Sequence, residues 1–390
     1  MNPIALPAEF LQVHDALPFD VVDAEGRMLL PMGTPIADLR QLDRLRCAGP
    51  MADAGQSDAW RSERERAAAG RLAADADDDE PAACAGRAPL EEARELPLRL
   101  APLLRNAALV LDWPRQIERL AGRVRADVGR DADSLLYLLV QRAARYHENY
   151  STEHALLCAV VCAMCAEPLH HGDEETRSLV CAALSMNVSM TTLQDELAQR
   201  ERTPTLAQRR AIDEHAADSA RLLRQVGVAD ELWVEVVALH HRNPDPDVPL
   251  AELPPGARLA SVLRRVDVFT AKISARRNRA GLPAPLAARD ACLGPNGLPD
   301  TVGAATVKAL SIYPPGSYVR LANSETAVVV RRGARADRPQ VVSLLAPNGR
   351  PLSTPQLRDT TQPRHEIRAA VRASEVRVAV NHEQVLAMAV

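Results

Sequence analysis

The sequence predicts a mainly α-helical bundle, with a small N-terminal β-containing unit and a short C-terminal antiparallel β appendage. Three observations carry that prediction. Apolar residues recur at helical spacing almost without interruption from about 97 to 275, and period-two alternation appears only before residue 49 and after about 313. The chain of 390 residues is 47% hydrophobic but only 3% aromatic, so its core must be built from Leu, Val and Ala, which favours close helix packing.

Residues 1–49 form the first unit. PFDVVDAEGRMLLPMGTPI alternates about a turn at Glu25-Gly26, and Leu39, Leu42 and Leu45 then repeat at helical spacing. From 50 to 96 the chain becomes Ala-, Asp- and Arg-rich, with an acidic run from Asp75 to Glu80, and reads as a flexible solvated linker. Helical signals resume near Leu98 and open a domain spanning 97–345.

Within that domain Ile117, Leu120 and Val124 form one apolar stripe, and Leu135, Leu138 and Leu139 mark the next face. Ser151-Thr152-Glu153 opens a helix whose inner stripe is His154, Leu157, Cys158, Val161 and Cys165. Further helices carry Leu179, Ala183 and Met186, then Ile212, His215, Ser219, Leu222 and Val226. Another runs through Trp233, Val236, Val237 and His240 and is stopped by Asn243-Pro244-Asp245-Pro246. The helix after Pro254-Pro255-Gly256 places Leu259, Leu263 and Asp267 in one row, and an acid on an apolar stripe needs a partner. From about 313, YPPGSYVRLANSETAVVVRR alternates about Ala322-Asn323-Ser324, and PQVVSLLAPNGRPL adds a strand before an Asn348-Gly349 turn. Residues 346–390 are a C-terminal tail, and its last stretch, from His365 to Val390, has no decisive pattern.

A net charge of -4 argues against a nucleic-acid polymer as partner, and no window approaches the apolar length of a membrane span. Seven cysteines lie mostly in apolar helical runs without the spacing of a disulfide framework, which fits a reduced, cytoplasmic setting. Cys158, Cys162 and Cys165 have the spacing of an iron–sulfur motif, but apolar residues fill the gaps and continue the helix, so they read as core. There is no Gly-rich phosphate loop and no serine elbow. The basic run from Arg276 to Arg279 follows a helix end, where cations are favoured.

His154, His215, His240, His241 and Asp267 fall on the inward faces of four helices, which is how a bundle assembles a metal site. Adjacent histidines differ by about 100° around a helix, so His240 and His241 reach one ion only near a helix end. Each histidine taken alone also fits a buried core residue hydrogen-bonded to a backbone carbonyl.

The order of His154, AALSMNVSM (182–190), His215, His240-His241, ARLASVLRRVDVFTA (257–271) and YPPGSYVRL (313–321) resembles the HD-GYP family of metal-dependent phosphohydrolases, over about residues 140–345. The resemblance implies an HD-type helical bundle and hydrolysis of cyclic di-GMP at two metal ions. It makes His154, His215, His240, His241 and Asp267 retained metal positions. The family's His-Asp pair, whose aspartate bridges the ions, corresponds to Met186 and Asn187, and its following Lys to Met190. Where the family has HHExxDGxGYP this chain has HHRNPDPDVPL, which keeps Asp245 but loses both glycines, and Pro246 and Val248 cannot make the same turn.

Without the bridging carboxylate a di-metal centre is not expected. The expectation is a degenerate HD-GYP-like signalling protein without phosphodiesterase activity. It would bind a protein partner in cyclic di-GMP signalling or a nucleotide, or pair with a second copy of itself, and no membrane is involved. The alternative is a phosphohydrolase with one Fe, Mn or Zn ion on His215, His240 and His241.

Overall fold

The computed structural model describes residues 89–390 except 146–148, 202, 246, 247, 294–296 and 390. Of the first 88 it describes residues 3–6, 11, 16–23, 26–37, 41, 45, 50–53, 55–57 and 60. The expected Leu39 and Leu42 stripe, Glu25 and the acidic run from Asp75 to Glu80 lie outside the described residues. The chain divides into two compact units, Met1–Asp78 and Asp79–Val390.

In the first unit, strands β1 (Pro3–Ala5), β2 (Val21–Val22), β3 (Met28–Leu30) and β4 (Met51–Asp53) form an antiparallel sheet in the order β1-β4-β2-β3. Between β2 and β3, Gly26 takes φ +78°, a conformation open to glycine, and Asp23 accepts the Arg27 amide at 2.8 Å. Leu11, Leu17, Phe19, Ile36 and Trp60 pack as a separate small core, with Phe19 and Trp60 edge to face at 5.4 Å. The stretch read as a linker from residue 50 therefore begins inside this unit, because Met51–Asp53 pairs with both β1 and β2. Three residues of strand in an Ala-rich context give no readable period.

The first described element of the second unit is helix α1 (Pro89–Arg105), which starts earlier than the sequence pattern indicates. Proline is tolerated in the first turn, and Glu91 and Glu92 complement the helix dipole there. Leu98 points outward, and the buried stripe is Ala93, Leu96, Leu100, Leu103 and Leu104. There follow α2 (Trp113–Ala143), α3 (Tyr150–Ala166), α4 (Asp173–Ser185), a 3₁₀ turn (Val188–Met190), α5 (Thr191–Gln199) and α6 (Leu206–Gln225). The bundle is completed by α7 (Glu231–Leu239), α8 (Pro255–Ile273), α9 (Ala284–Ala291) and α10 (Thr301–Leu310). Helix α2 breaks at Asp131, whose carboxylate accepts the Ser134 amide at 3.1 Å and hydroxyl at 2.7 Å. That break separates the two apolar stripes expected there.

Almost every residue of α3 is buried, and it packs against α2, α4, α8 and α10. A helix that is apolar all round occupies the centre of a bundle. His154 is therefore carried on the central helix.

The C-terminal strands β5 (Tyr318–Leu321), β6 (Thr326–Arg331), β7 (Gln340–Leu345), β8 (Pro351–Asp359) and β9 (Ile367–Val371) form an antiparallel sheet in the order β8-β7-β6-β5-β9, and helix α11 (His382–Ala387) follows. The region read as a tail thus contains β8, β9 and α11, the last two in the stretch without a decisive pattern. Strand β8 is mostly exposed at the sheet edge, where burial imposes no alternation, and β9 and α11 are too short to show a period. Gly316, at φ +89°, lets the backbone lie against α2: a Cβ there would fall 2.7 Å from the Tyr137 carbonyl oxygen. Gln141 clamps the same point, donating to the Gly316 carbonyl at 2.6 Å and accepting from the Tyr318 hydroxyl at 2.8 Å.

Candidate metal centre

His240 caps the C-terminus of α7, and His241 follows in the turn that closes with Arg242 donating to the Leu239 carbonyl. At this end the backbone leaves the helical path, and the two rings lie 4.1 Å apart, tilted by 43°. His215 comes from α6, which starts with a capping box at Thr205 and Gln208. Its Nε2 lies 3.3 Å from that of His240 and 3.2 Å from that of His241. His215 and His240 are buried, whereas His241 is exposed on one side.

The hydrogen bonds fix the tautomers. Nδ1 of His215 meets the Ile212 carbonyl at 2.5 Å, and Nδ1 of His240 meets the Val237 carbonyl at 2.7 Å. A carbonyl only accepts, so each Nδ1 carries the proton, and in the neutral ring each Nε2 presents a lone pair. Burial, reinforced by His241, pushes His240 down to about 3, and burial also lowers His241, with His215 and Arg264 adding to it. A proton from His241 can satisfy His215, but the Nε2 of His240 then faces another lone pair inside the protein. A buried acceptor left in that state costs about 1–3 kcal/mol. A cation accepted by all three nitrogens removes the conflict, and for Zn–N bonds of about 2.0–2.1 Å a tetrahedral edge is about 3.3 Å. The donor set therefore fits a single metal ion.

A second cluster lies on α3 and α8. His154 Nε2 donates to Asp267 Oδ1 at 2.8 Å, so the acid on the apolar stripe finds its partner here. Cys158 Sγ lies 3.7 Å from the same nitrogen, and one ligand atom from each of His154, Cys158 and Asp267 falls within 4.8 Å of the others. Burial alone would raise Asp267, but the His154 hydrogen bond and the neighbouring imidazoles hold it at about 2. Burial also disfavours the His154 imidazolium, yet Cys158, Tyr150 and Asp267 outweigh that and raise it well above its ordinary value. Tyr150 stacks on the ring at 5.7 Å, and His154 Nδ1 is buried without a hydrogen-bond partner among the described residues.

Met186 joins the main apolar core, and Asn187 sits half-buried before the 3₁₀ turn, its side chain making no hydrogen bond among the described residues. Ser189 ties that turn to α6, donating to the His215 carbonyl at 3.1 Å and meeting the Ser219 hydroxyl at 2.9 Å. Met190 is half-buried, Asp245 is exposed, and Pro246 lies outside the described residues. Cys158 is fully buried in the main apolar core, as its place in an apolar run predicts, on the same helix face as His154. Arg264, close enough to act on His241, had no signal beyond its place in a helical run.

No helix among the described residues is long and apolar enough to cross a membrane. No family model matches the chain, and no curated protein matches it. Among solved structures, one described as a HDG"Y"P protein from Bdellovibrio bacteriovorus aligns over 79% of this chain and 99% of its own, with 14% identity and a TM-score of 0.47. At that distance the chemistry of the centre rests on its own atoms.

Proposed function

We propose that this chain is a degenerate HD-GYP-like signalling protein. It holds one Fe, Mn or Zn ion on His215, His240 and His241 and acts by binding a nucleotide or a partner protein, without two-metal phosphodiester hydrolysis. The observation that carries the reading is the convergence of three imidazole Nε2 atoms, two of them fixed as lone-pair donors by their helices. Asn187 stands where the resemblance puts a bridging carboxylate, and a neutral amide cannot hold two cations together. The exposed side of His241 and the nearby Arg264 offer an anionic group both a coordination position and a counter-charge.

The second reading, a phosphohydrolase with a single metal, is favoured by the same exposed side. A three-histidine ion supplies an acidified water when loaded, and the chain's own contribution is to leave one face open for it. Elemental analysis for Fe, Mn and Zn, together with cyclic di-GMP binding and cleavage assays, separates the two. Wild type is expected to carry metal in the imidazole site and to bind without turnover, and His240→Ala is expected to lose that ion with at least about a 100-fold drop in affinity. Turnover that His240→Ala abolishes would establish the hydrolase instead. Protein that takes up no ion at these histidines would remove both readings.

A further inference from the structure

We propose that the cavity between the end of the bundle and the segment after β9 binds a small amphipathic organic anion, one that carries a carboxylate or phosphate head on an apolar body. The cavity measures about 490 Å³, within the roughly 300–1,000 Å³ of small-molecule sites. Its floor is apolar. Val140 of α2, Ile273 at the end of α8, Ala284 at the start of α9 and Val371 of β9 are buried in it, and half-buried Val376 and Val378 close it from the segment that follows β9.

The charged residues of its wall are Arg145 and Arg377, both exposed to solvent, and no Asp or Glu lines it among the described residues. Arg145 stands just past the C-terminus of α2, in a turn in which its amide donates to the Arg142 carbonyl. The groups that feel its charge are two phenols and an imidazole. Burial raises Tyr137 and Tyr318 and the guanidinium opposes it, whereas burial lowers His382 and Arg145 lowers it further. None of the three is an anion at neutral pH, so Arg145 meets hydroxyls and a neutral ring there rather than a counter-charge. Ser317 is a second, independent sign: it lines the cavity, is 4% exposed, and its hydroxyl has no hydrogen-bond partner among the described residues.

The division of the walls sets the class of ligand. The buried floor takes a hydrocarbon or aromatic body, while two guanidiniums at the entrance select a negative head and reject a positive one. Because Arg145 comes from the bundle and Arg377 from the segment after β9, a ligand held by both ties the two together. No lining residue belongs to the tris-histidine cluster or to the His154–Asp267 pair, so the site does not rest on the metal reading.

Isothermal titration calorimetry of the full chain with decanoate, decyl phosphate, decanol and decyltrimethylammonium tests this. At least one of the two anions is expected to bind one-to-one, more than about tenfold tighter than the alcohol or the cation, and the tighter of the two identifies the head. Arg145→Gln and Arg377→Gln should each weaken that anion about tenfold or more. Ala144→Phe, which puts a ring into the cavity from its wall, should abolish binding, and His240→Ala should leave it unchanged. Failure of both anions to saturate by about 5 mM overturns the proposal, as does equal binding of the alcohol or an affinity that both arginine variants keep. Binding that His240→Ala abolishes places the anion at the imidazole centre and overturns it too. Because the four wild-type titrations can overturn it alone, the test stands even where a variant fails to fold.

Discussion

In the tris-histidine cluster two rings are oriented by their own helices, through Nδ1–H bonds to carbonyls three residues back. In the neighbouring cluster His154 is held by a carboxylate from another helix and its Nδ1 has no hydrogen-bond partner among the described residues. The first arrangement leaves lone pairs facing one another and is relieved by a cation. The second is already a neutralised pair. Two histidine clusters on one bundle thus pose opposite electrostatic problems, and protons act on them in opposite directions.

The largest expected effect follows from that opposition. His240 titrates at about 3 in the folded chain, below its ordinary 6.5, so the unfolded chain binds the extra proton between those values. Its contribution to stability is complete above pH 6.5 and is lost as pH falls towards 3, on the order of a few kcal/mol. His154 is raised, so its contribution is complete below pH 6.5 and is lost as pH climbs through its folded value. Urea unfolding of metal-free protein should therefore show midpoints falling on the acid side in wild type and flatter in His240→Leu. On the alkaline side the fall should be present in wild type and absent in His154→Leu. Slopes of the same sign in both variants would dissolve the contrast between the clusters.

Asp267→Asn sharpens it. The amide oxygen still accepts from His154, so only the charged part of the bond is lost, at about 1–3 kcal/mol. The alkaline fall should shrink, since Cys158 and Tyr150 still raise His154, while the acid fall remains, because His240 stays buried and loses the neighbouring carboxylate that helps it keep a proton. A variant that loses both slopes would show that the clusters titrate as one group.

The histidines and Asp267 were legible in the sequence because each sits on an apolar stripe where a polar group is conspicuous. The bundle and the β appendage were legible for the same reason, since burial on one face writes a period into the residues. Met51–Asp53, β9 and α11 were not, because elements this short hold too few repeats for a period to stand out. Helix α1 was placed late because exposed Leu98 masks the register of Leu96 and Leu100. Cys158, Cys162 and Cys165 read as core and are buried in it, but that the sulfur of Cys158 lies beside Asp267 depends on another helix, which the apolar run does not report. Tautomers and lone pairs depend on backbone carbonyls, which no residue pattern reports.

The smallest effect concerns the turn that stands where the resemblance places the bridging pair. The Ser189 hydroxyl donates to the His215 carbonyl and its amide donates to the Ser219 hydroxyl, so the Val188–Met190 turn is fastened to α6 beside the tris-histidine cluster. Ser189→Ala removes one partly exposed hydroxyl and should cost about 1 kcal/mol in urea unfolding. If the turn is only a spacer, both pH slopes stay as in wild type. If it positions His215, the acid-side slope alone should shift, since His154 is held from α8 and has no bond to the turn. A change confined to the alkaline side would contradict both, and would mean that Asn187 and its turn act on the His154 cluster instead.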